Sequence, residues 1–340
     1  MSAAQHQVRL AGSDITFGCD ADDTLLRAGQ RAGLGFPYEC NVGSCGNCRF
    51  QLVEGTIDNR WPEAPGSSEK DRARKRFLGC QSRPLGDCTI KLRTDARYQP
   101  AHAPHRIGAV LQSRRALTHD MTEFHFVLDQ PQPFEPGQYA LLELPGATGA
   151  RAYSMSNTAA EGTRWEFVVR RTPAGVGSKA LFGLGDGARV RIDGPYGMAW
   201  LRRDVDRDIL CMAGGSGLAP MLSVARGAMD EPGLAGRQLH FLYGGRTPGD
   251  VCGEDVLREL PGWAERLHYH AAISPVPGAA VDGWTGSVGY LHEVALERFG
   301  HGLADMEIYF AGPAPMALAM QRMLLDAKVP PQQVHFDQFY

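Results

Sequence analysis

Four cysteines pose the first chemical question. Cys40, Cys45 and Cys48 lie within nine residues of FPYECNVGSCGNCRF, and Cys80 follows in RFLGCQSRP. Thiols this close suit a disulfide knot, a zinc site or one side of an iron–sulfur cluster. Eight cysteines in 340 residues are too few for a disulfide scaffold. A structural zinc site usually takes two C-x-x-C pairs or one pair with histidines, and here a single pair stands with no histidine near it. The spacing C-x4-C-x2-C with a distant fourth cysteine is that of plant-type [2Fe–2S] sites. Such a cluster needs four thiolates around two irons, three of them from one tight turn. Gly43 and Gly46 would let backbone amides approach the sulfurs and stabilise the negative charge added on reduction. Zinc stays open as the alternative. Cys19, Cys88, Cys211 and Cys252 are scattered and need no role beyond packing.

Other stretches carry weaker chemical signals. RAYSMSN (Arg151 to Asn157) is, taken alone, a polar strand end. The turn Gly214-Gly215-Ser216-Gly217 is not the G-x-G-x-x-G dinucleotide fingerprint, and a glycine-rich turn by itself is weak. Its place between a strand and a helix says more, because pyrophosphate binds where a strand feeds a helix N-terminus. YGGRTPGD offers Arg246 and Asp250. A 2′-phosphate usually calls for a basic cluster, whereas an acid suits the ribose hydroxyls, which favours NADH over NADPH. KDRARKR (Lys70 to Arg76) has five basic residues in seven and is either a solvated loop or a docking patch for an acidic partner.

These residues need elements to hold them. VRLAGSDITFGC reads as two short strands round a turn, TLLRAGQRAG as a helix, and RFQLVEG and CTIKLR as strands, which suits a small β-grasp domain. TDARYQPAHAPH is polar and proline-containing, a linker. From Arg106, IGAVLQSRRAL, TEFHFVLD, QYALLELPG, RWEFVVRR and ARVRIDGPYG alternate between Gly, Pro and Asp punctuation, as in a small antiparallel barrel. From Asp206 strand and helix alternate over about 130 residues, which predicts a parallel sheet with helices on both faces. The last residues, HFDQFY, form a final strand or place an aromatic for other use. The apolar fraction of 43% and charged fraction of 21% are those of a globular protein, and a net charge of −3 gives no overall pull towards nucleic acid or an anionic membrane. No run of about 18 apolar residues and no secretory pattern is present, so a cytoplasmic chain is expected.

Residues 5–93 resemble plant-type ferredoxins, and the rest resembles the ferredoxin–NADP reductase superfamily. RAYSMSN is similar to that superfamily's R-x-Y-S-x-x-N motif. The resemblance implies that Arg151 pairs with flavin phosphate, Tyr153 packs on the flavin ring and Ser154 bonds near flavin N5, with Asn157 completing the motif. GVGSKALF resembles the second phosphate segment, Gly175, Val176, Gly177 and Ser178. GGSGLAP (Gly214 to Pro220) resembles the nucleotide turn G-G-x-G-x-x-P, and AGPAPM resembles C-G-P-x-x-M at Gly312, Pro313 and Met316. Ala311 stands where many relatives carry a cysteine beside the nicotinamide. Phe339 or Tyr340 could supply the terminal aromatic that relatives place against the flavin.

The module order resembles that of reductase components of bacterial multicomponent oxygenases, such as toluene and phenol monooxygenase systems. It implies a multidomain fold: a [2Fe–2S] β-grasp domain at 1–93, a linker at 94–104, an antiparallel Greek-key FAD barrel at 105–203 and an α/β NAD(P) domain at 204–340. It also implies an oxidoreductase, acting as a monomer, that moves hydride from nicotinamide C4 to flavin N5. Single electrons then pass to a cluster on Cys40, Cys45, Cys48 and Cys80, and on to an oxygenase or its small ferredoxin. A different acceptor (a sugar dehydratase or desaturase), a redox-sensing module and a zinc protein are the rivals. No protein acid or base is needed, because the reacting atoms belong to cofactors.

Overall fold

The computed structural model describes residues 4–275 and 283–339. The chain forms two compact units, one holding residues up to Arg106 with Asp193–Tyr196, the other holding Ile107–Ile192 and the chain from Gly197.

In the first unit, strands β1 (Gln5–Leu10) and β2 (Thr16–Asp20) form a hairpin, with His6 opposite Cys19 and Val8 opposite Phe17. Helix α1 (Leu25–Arg31) starts at Thr24, whose hydroxyl accepts from the Arg27 amide, and buries Leu25, Leu26 and Ala28. β3 (Arg49–Glu54) follows the cysteine loop, then come β4 (Ile57–Asn59), α2 (Glu69–Ala73), β5 (Arg76–Leu78), β6 (Ser82–Pro84) and β7 (Cys88–Lys91). The sheet order is β2-β1-β7-β3-β5, with β7 parallel to β1 and antiparallel to β3, and β4 pairs separately with β6. A parallel central pair flanked by antiparallel strands, with one helix packed on it, is the β-grasp arrangement. Val8, Phe17, Leu25, Leu26, Phe36, Phe50 and Ile90 fill its core. Residues 95–98, expected in a linker, are tied down: the Asp95 amide donates to Gly35 O at 2.9 Å and Gln30 Nε2 to Tyr98 O at 3.1 Å.

The second unit begins with most of a six-stranded sheet, whose first strand starts and last strand ends on residues grouped with the first unit: β8 (His105–Ala116), β9 (Met121–Leu128), β10 (Tyr139–Glu143), β11 (Arg151–Ser154), β12 (Arg164–Arg170) and β13 (Arg189–Tyr196), with helix α3 (Val176–Phe182) between the last two. The order β11-β10-β13-β8-β9-β12 sets β13 between β10 and β8, a Greek-key crossover. An antiparallel bridge between Met155 and Phe167, with the Ser156 amide donating to Glu166 O at 2.7 Å, joins the two edges and closes the barrel. Its interior is aromatic: Trp165 meets Phe134 edge-on at 5.6 Å, with Phe124, Phe126 and Phe167 beside them.

The same unit ends in an all-parallel sheet. β14 (Asp208–Gly214) leads to α4 (Leu218–Asp230), β15 (Leu239–Gly245) to α5 (Glu254–Arg258), β16 (Leu267–Ile273) and β17 (Ser287–Val288) to α6 (Leu291–Phe299), and β18 (Met306–Pro313) to α7 (Ala314–Asp326) and β19 (Val334–Phe339). The order is β17-β16-β15-β14-β18-β19. The run ILCMA in β14 is apolar on both sides because both faces are covered. Ile209, Cys211 and Ala213 join the core under α4, and Leu210 and Met212 the core under α6 and α7. Helix α5 is shorter than its sequence suggests, because Gly253 takes a left-handed φ of 91° and starts it late. The expected boundary at 203/204 falls inside this unit, where Ser223 of α4 donates to Asn157 O at 2.6 Å and Arg226 to Ser156 O at 2.7 Å. No helix among the described residues is long and apolar enough to cross a membrane.

Candidate functional site

The cysteine loop runs from the end of α1 to β3, and Cys80 lies in the single helical turn Gly79–Gln81 between β5 and β6. The Gly79 amide donates to Cys48 O at 2.8 Å, which brings the fourth cysteine to the loop: Cys48 Sγ and Cys80 Sγ are 3.4 Å apart. That is far beyond a disulfide bond of about 2.05 Å, and none of the eight cysteines forms a disulfide. The Cys45 amide points at Cys40 Sγ (3.3 Å), the Asn47 amide at Cys45 Sγ (3.5 Å) and Gln81 Nε2 at Cys80 Sγ (3.7 Å). The Cys40 thiol is pulled below its ordinary range, chiefly by the hydrogen bond from the Cys45 thiol, against burial and helped by the amides of Val42, Cys45 and Ser44. Cys80 is lowered likewise by its bond with Cys48. Gly46 has φ +80°, and a Cβ there would sit 2.8 Å from Gly66 O. Arg27 of α1 braces the loop through Asn41, whose φ is +54°. Two thiol pairs under inward-pointing amides fit the donor set of a [2Fe–2S] cluster. Cys19 and Cys211 are buried in cores, as scattered packing thiols should be.

On the barrel, β11 pairs with β10 so that Tyr139 opposes Ser154 and Leu142 opposes Arg151. One guanidinium nitrogen of Arg151 donates to the carbonyls of Thr148 (2.9 Å) and Gly149 (3.2 Å), which orients the fork. The first turn of α3 lies directly against it: a Cβ on Gly177 would be 2.7 Å from Arg151 Cγ and 3.1 Å from the Tyr153 hydroxyl. No side chain caps α3 at Gly175. The Ser178 hydroxyl bonds Thr172 Oγ1 at 2.9 Å and accepts from the Thr172 amide at 3.2 Å, holding the turn. Burial pushes the Tyr153 phenol up to about 12, so it stays neutral. The structure thus gathers Arg151, Tyr153, Gly175, Val176, Gly177 and Ser178 into a cation, an aromatic surface and a helix start, which fits a flavin phosphate and ring. Ser154 is buried beside them. Asn157 differs: its side-chain NH2 donates to Arg164 O and Thr158 O, and its Oδ1 accepts from the Glu166 amide. Its side chain pins β11 to β12, and α4 reaches its carbonyl.

At the parallel sheet, Gly214, Gly217 and Gly312 form a floor with no room for side chains. A Cβ on Gly214 would overlap Met316 Sδ, one on Gly217 would overlap the carbonyl oxygen of Ala311, and one on Gly312 would lie 2.8 Å from Met316 Cε. Between them Gly215 takes φ +56° and Ser216 follows it into α4, whose start at Gly217 carries no side-chain cap. This floor lies where the strand order reverses, at the C-terminal ends of β14 and β18, the expected place for a dinucleotide. Pro313 is exposed at the start of α7, and Phe339 opposes it in the β18–β19 register. Tyr340 lies outside the described residues.

Arg246 and Asp250, the arginine and the acid of YGGRTPGD, form one network. Asp250 Oδ1 accepts from Arg246 (3.1 Å) and Arg170 (3.4 Å), while its Oδ2 accepts from the Thr247 amide (3.0 Å) and hydroxyl (3.1 Å). Burial would raise the Asp250 pKa, but the bonds from Arg246 and Thr247 outweigh it and hold the carboxyl below its usual range. Arg170 also donates to Asp120 at 2.7 Å and stands 3.4 Å from the Cβ position of Gly215. Nothing in the local pattern of Arg170 or Asp120 marks them, since they meet Asp250 only through the barrel's packing on the sheet. Trp61, which no sequence pattern marks, lies over Gly43, with Cε3 3.1 Å from that glycine's Cβ position.

Three family models match the chain: a 2Fe-2S iron–sulfur cluster binding domain over residues 8–85, an oxidoreductase FAD-binding domain over 108–200 and an oxidoreductase NAD-binding domain over 211–322. The chain is 38% identical to a ferredoxin–NAD(P)(+) reductase of Metapseudomonas resinovorans over 95% of this chain and 96% of that protein. It is 37% identical to the ferredoxin–NAD(+) reductase component of the alkene monooxygenase system of Xanthobacter autotrophicus, over 95% and 98% of the two chains. Among solved structures, the ferredoxin reductase in carbazole 1,9a-dioxygenase superposes with a TM-score of 0.90 at 35% identity, over 99% of each chain.

Proposed function

We infer the function from one premise: the chain belongs to the family of iron–sulfur, FAD- and NAD-binding reductase components of multicomponent oxygenases. It is an NADH:acceptor oxidoreductase that feeds electrons to the oxygenase, or the small ferredoxin, of an aromatic or alkene mono- or dioxygenase system. The observation that carries this reading is the presence, in one chain, of a paired cysteine quartet, an arginine–tyrosine–helix cradle and a glycine floor at a strand switch point. Bound together, the cofactors convert a hydride, two electrons at once, into single electrons.

The chain's own residues bind and orient. Gly214 to Gly217 and Gly312, Pro313 and Met316 leave backbone and an uncapped helix for the dinucleotide. Arg151 and the start of α3 take flavin phosphate, Tyr153 covers the ring and Ser154 stands nearby. Cys40, Cys45, Cys48 and Cys80 hold the cluster under the amides of the loop. NADH is preferred to NADPH because Asp250 already engages Arg246 and Arg170 and sets a negative charge beside them. The residues read for all three cofactors come from a single chain, which is in keeping with a monomer. The partner must leave after each single electron, which supports transient docking. Eight cysteines with no disulfide among them suit the reducing cytoplasm.

Anaerobic titration of the purified holoprotein with NADH tests this reading. Flavin and [2Fe–2S] absorption should bleach together, with about two irons and two acid-labile sulfides per chain. Zinc in place of iron, or a spectrum that NADH leaves unchanged, would refute it.

A further inference from the structure

We propose that the electron acceptor is a protein with an acidic surface, and that it docks on the face built from the Ser44–Cys45 edge of the cysteine loop, the indole of Trp61 and the basic residues at the end of α2. The proposal rests on the reading of the cysteine quartet as a cluster site. Three observations support it. Of the four thiols, Cys48 and Cys80 are 2% exposed, whereas Cys40 and Cys45 are half-buried, so the quartet opens outward on one side. Trp61 lies over Gly43 on the loop and is 42% exposed. A large aromatic held in the open at a functional loop has the chemistry of an interface anchor. Its segment is held in place: the Gly66 amide donates to Gly43 O (2.9 Å), Arg72 to Pro62 O (2.7 Å) and Arg49 to Gly66 O (2.7 Å). An anchor set in place beforehand binds without paying the cost of ordering it.

The third observation is charge. The chain carries −3 overall, yet Lys70 to Arg76 has five basic residues against Asp71. Asp71 is engaged by Ser68, which caps α2, and by Arg49. Lys70, Arg74 and Lys75 are exposed, and among the described residues no ion pair holds them. Contacts through Arg49 and Arg72 fix this helix beside the Trp61 segment, which sets anchor and charge next to one another. A local positive field on an acidic chain steers an acidic partner to that face and turns away a basic one.

Two full-length holoprotein variants test this, K70E/R74E/K75E and Trp61→Ala, with the soluble domain of cytochrome b5 as acidic probe and cytochrome c as basic probe. Binding of each oxidised haem protein is measured by calorimetry at low salt, and NADH-driven reduction is followed alongside. Charge reversal should weaken cytochrome b5 binding about tenfold, flatten its salt dependence and speed cytochrome c reduction. Trp61→Ala should weaken binding of both probes severalfold while ferricyanide reduction and the visible spectrum stay unchanged. Unchanged binding of both probes to the charge-reversal variant would overturn the proposal, as would tighter binding of cytochrome c than of cytochrome b5 to the wild type. If Trp61→Ala disturbs the cluster spectrum, the charge-reversal result decides. Absence of a [2Fe–2S] spectrum in the wild type would instead defeat the functional reading beneath it.

Discussion

Replacing Asp250 with asparagine should shift coenzyme selectivity towards NADPH. The carboxylate is 8% exposed and ionised, and it accepts from Arg246, Arg170 and both donors of Thr247. Asparagine keeps an acceptor for the Thr247 amide, so the turn Pro248–Asp250 keeps its cap while the charge disappears. Arg170 remains on Asp120 at 2.7 Å. Arg246, 61% exposed, is left only the 3.6 Å pair with Asp120. A 2′-phosphate at this turn then gains a charge-assisted bond worth about 1.5–3 kcal/mol in general. Solvent screening at so exposed an arginine reduces this to about 1 kcal/mol. Loss of repulsion by Asp250 adds about another 1 kcal/mol. Together they predict a rise of roughly tenfold to thirtyfold in the ratio of kcat/KM for NADPH to that for NADH, since about 1.4 kcal/mol is tenfold. Steady-state ferricyanide reduction with each coenzyme measures the ratio, and a thermal melt checks that the turn survives. A ratio moved less than about threefold in a folded variant would show that the network does not face the adenosine ribose.

Cys80→Ser should abolish the cluster's visible bands and cytochrome c reduction but leave flavin-dependent ferricyanide reduction in place, because Cys80 belongs to the buried thiol pair with Cys48 and to none of the flavin contacts. Gly177→Ala should weaken FAD binding severalfold in an equilibrium titration, since the new Cβ, 2.7 Å from Arg151 Cγ, must displace the arginine. Glu123 gives a pH prediction. Burial raises its pKa, but the bond to His125 and the charges of Arg115 and Arg226 outweigh this and bring it from 4.5 to about 2. A depressed carboxyl contributes stability in full above about 4.5 and loses it as pH falls towards 2, here about 3 kcal/mol. Urea melts between pH 6 and pH 3 should show a flatter acid dependence for Glu123→Gln than for the wild type.

The elements that position the sites were legible where a single physical signal dominates. Alternation along WEFVVR marks a strand with one face in an aromatic barrel, and the apolar run in β14 marks a strand covered on both faces. Cys40, Cys45 and Cys48 were legible because their spacing is itself the chemistry. The short strands β4 and β6 were not, since three residues that pair only with each other leave no periodicity. The Asp120–Arg170–Asp250–Arg246 network was invisible for a different reason. Arg246 and Asp250 share one turn, but Asp120 and Arg170 come from the barrel, and only its packing on the sheet brings their charges within bonding distance of that turn. Asn157 shows the opposite case, a motif residue whose side chain turns out to hold strands together.

Ala311 sharpens what such a motif encodes. A cysteine is common here in the superfamily this chain resembles, and alanine takes its place beside the glycine floor. The contact that shapes the floor is made by backbone: Gly217 packs so tightly on the carbonyl oxygen of Ala311 that any Cβ on Gly217 would overlap it. The β18 register against β14, Ala311 beside Ala213, is likewise set by main-chain pairing. The Ala311 side chain instead joins the apolar core with Leu218 and Tyr309, fully buried. Position 311 therefore has two separable demands, a carbonyl under Gly217 and a small group in the core, and alanine meets both. The glycines at 214, 217 and 312 carry the geometric constraint, and position 311 asks only for a side chain small and apolar enough for the core it joins.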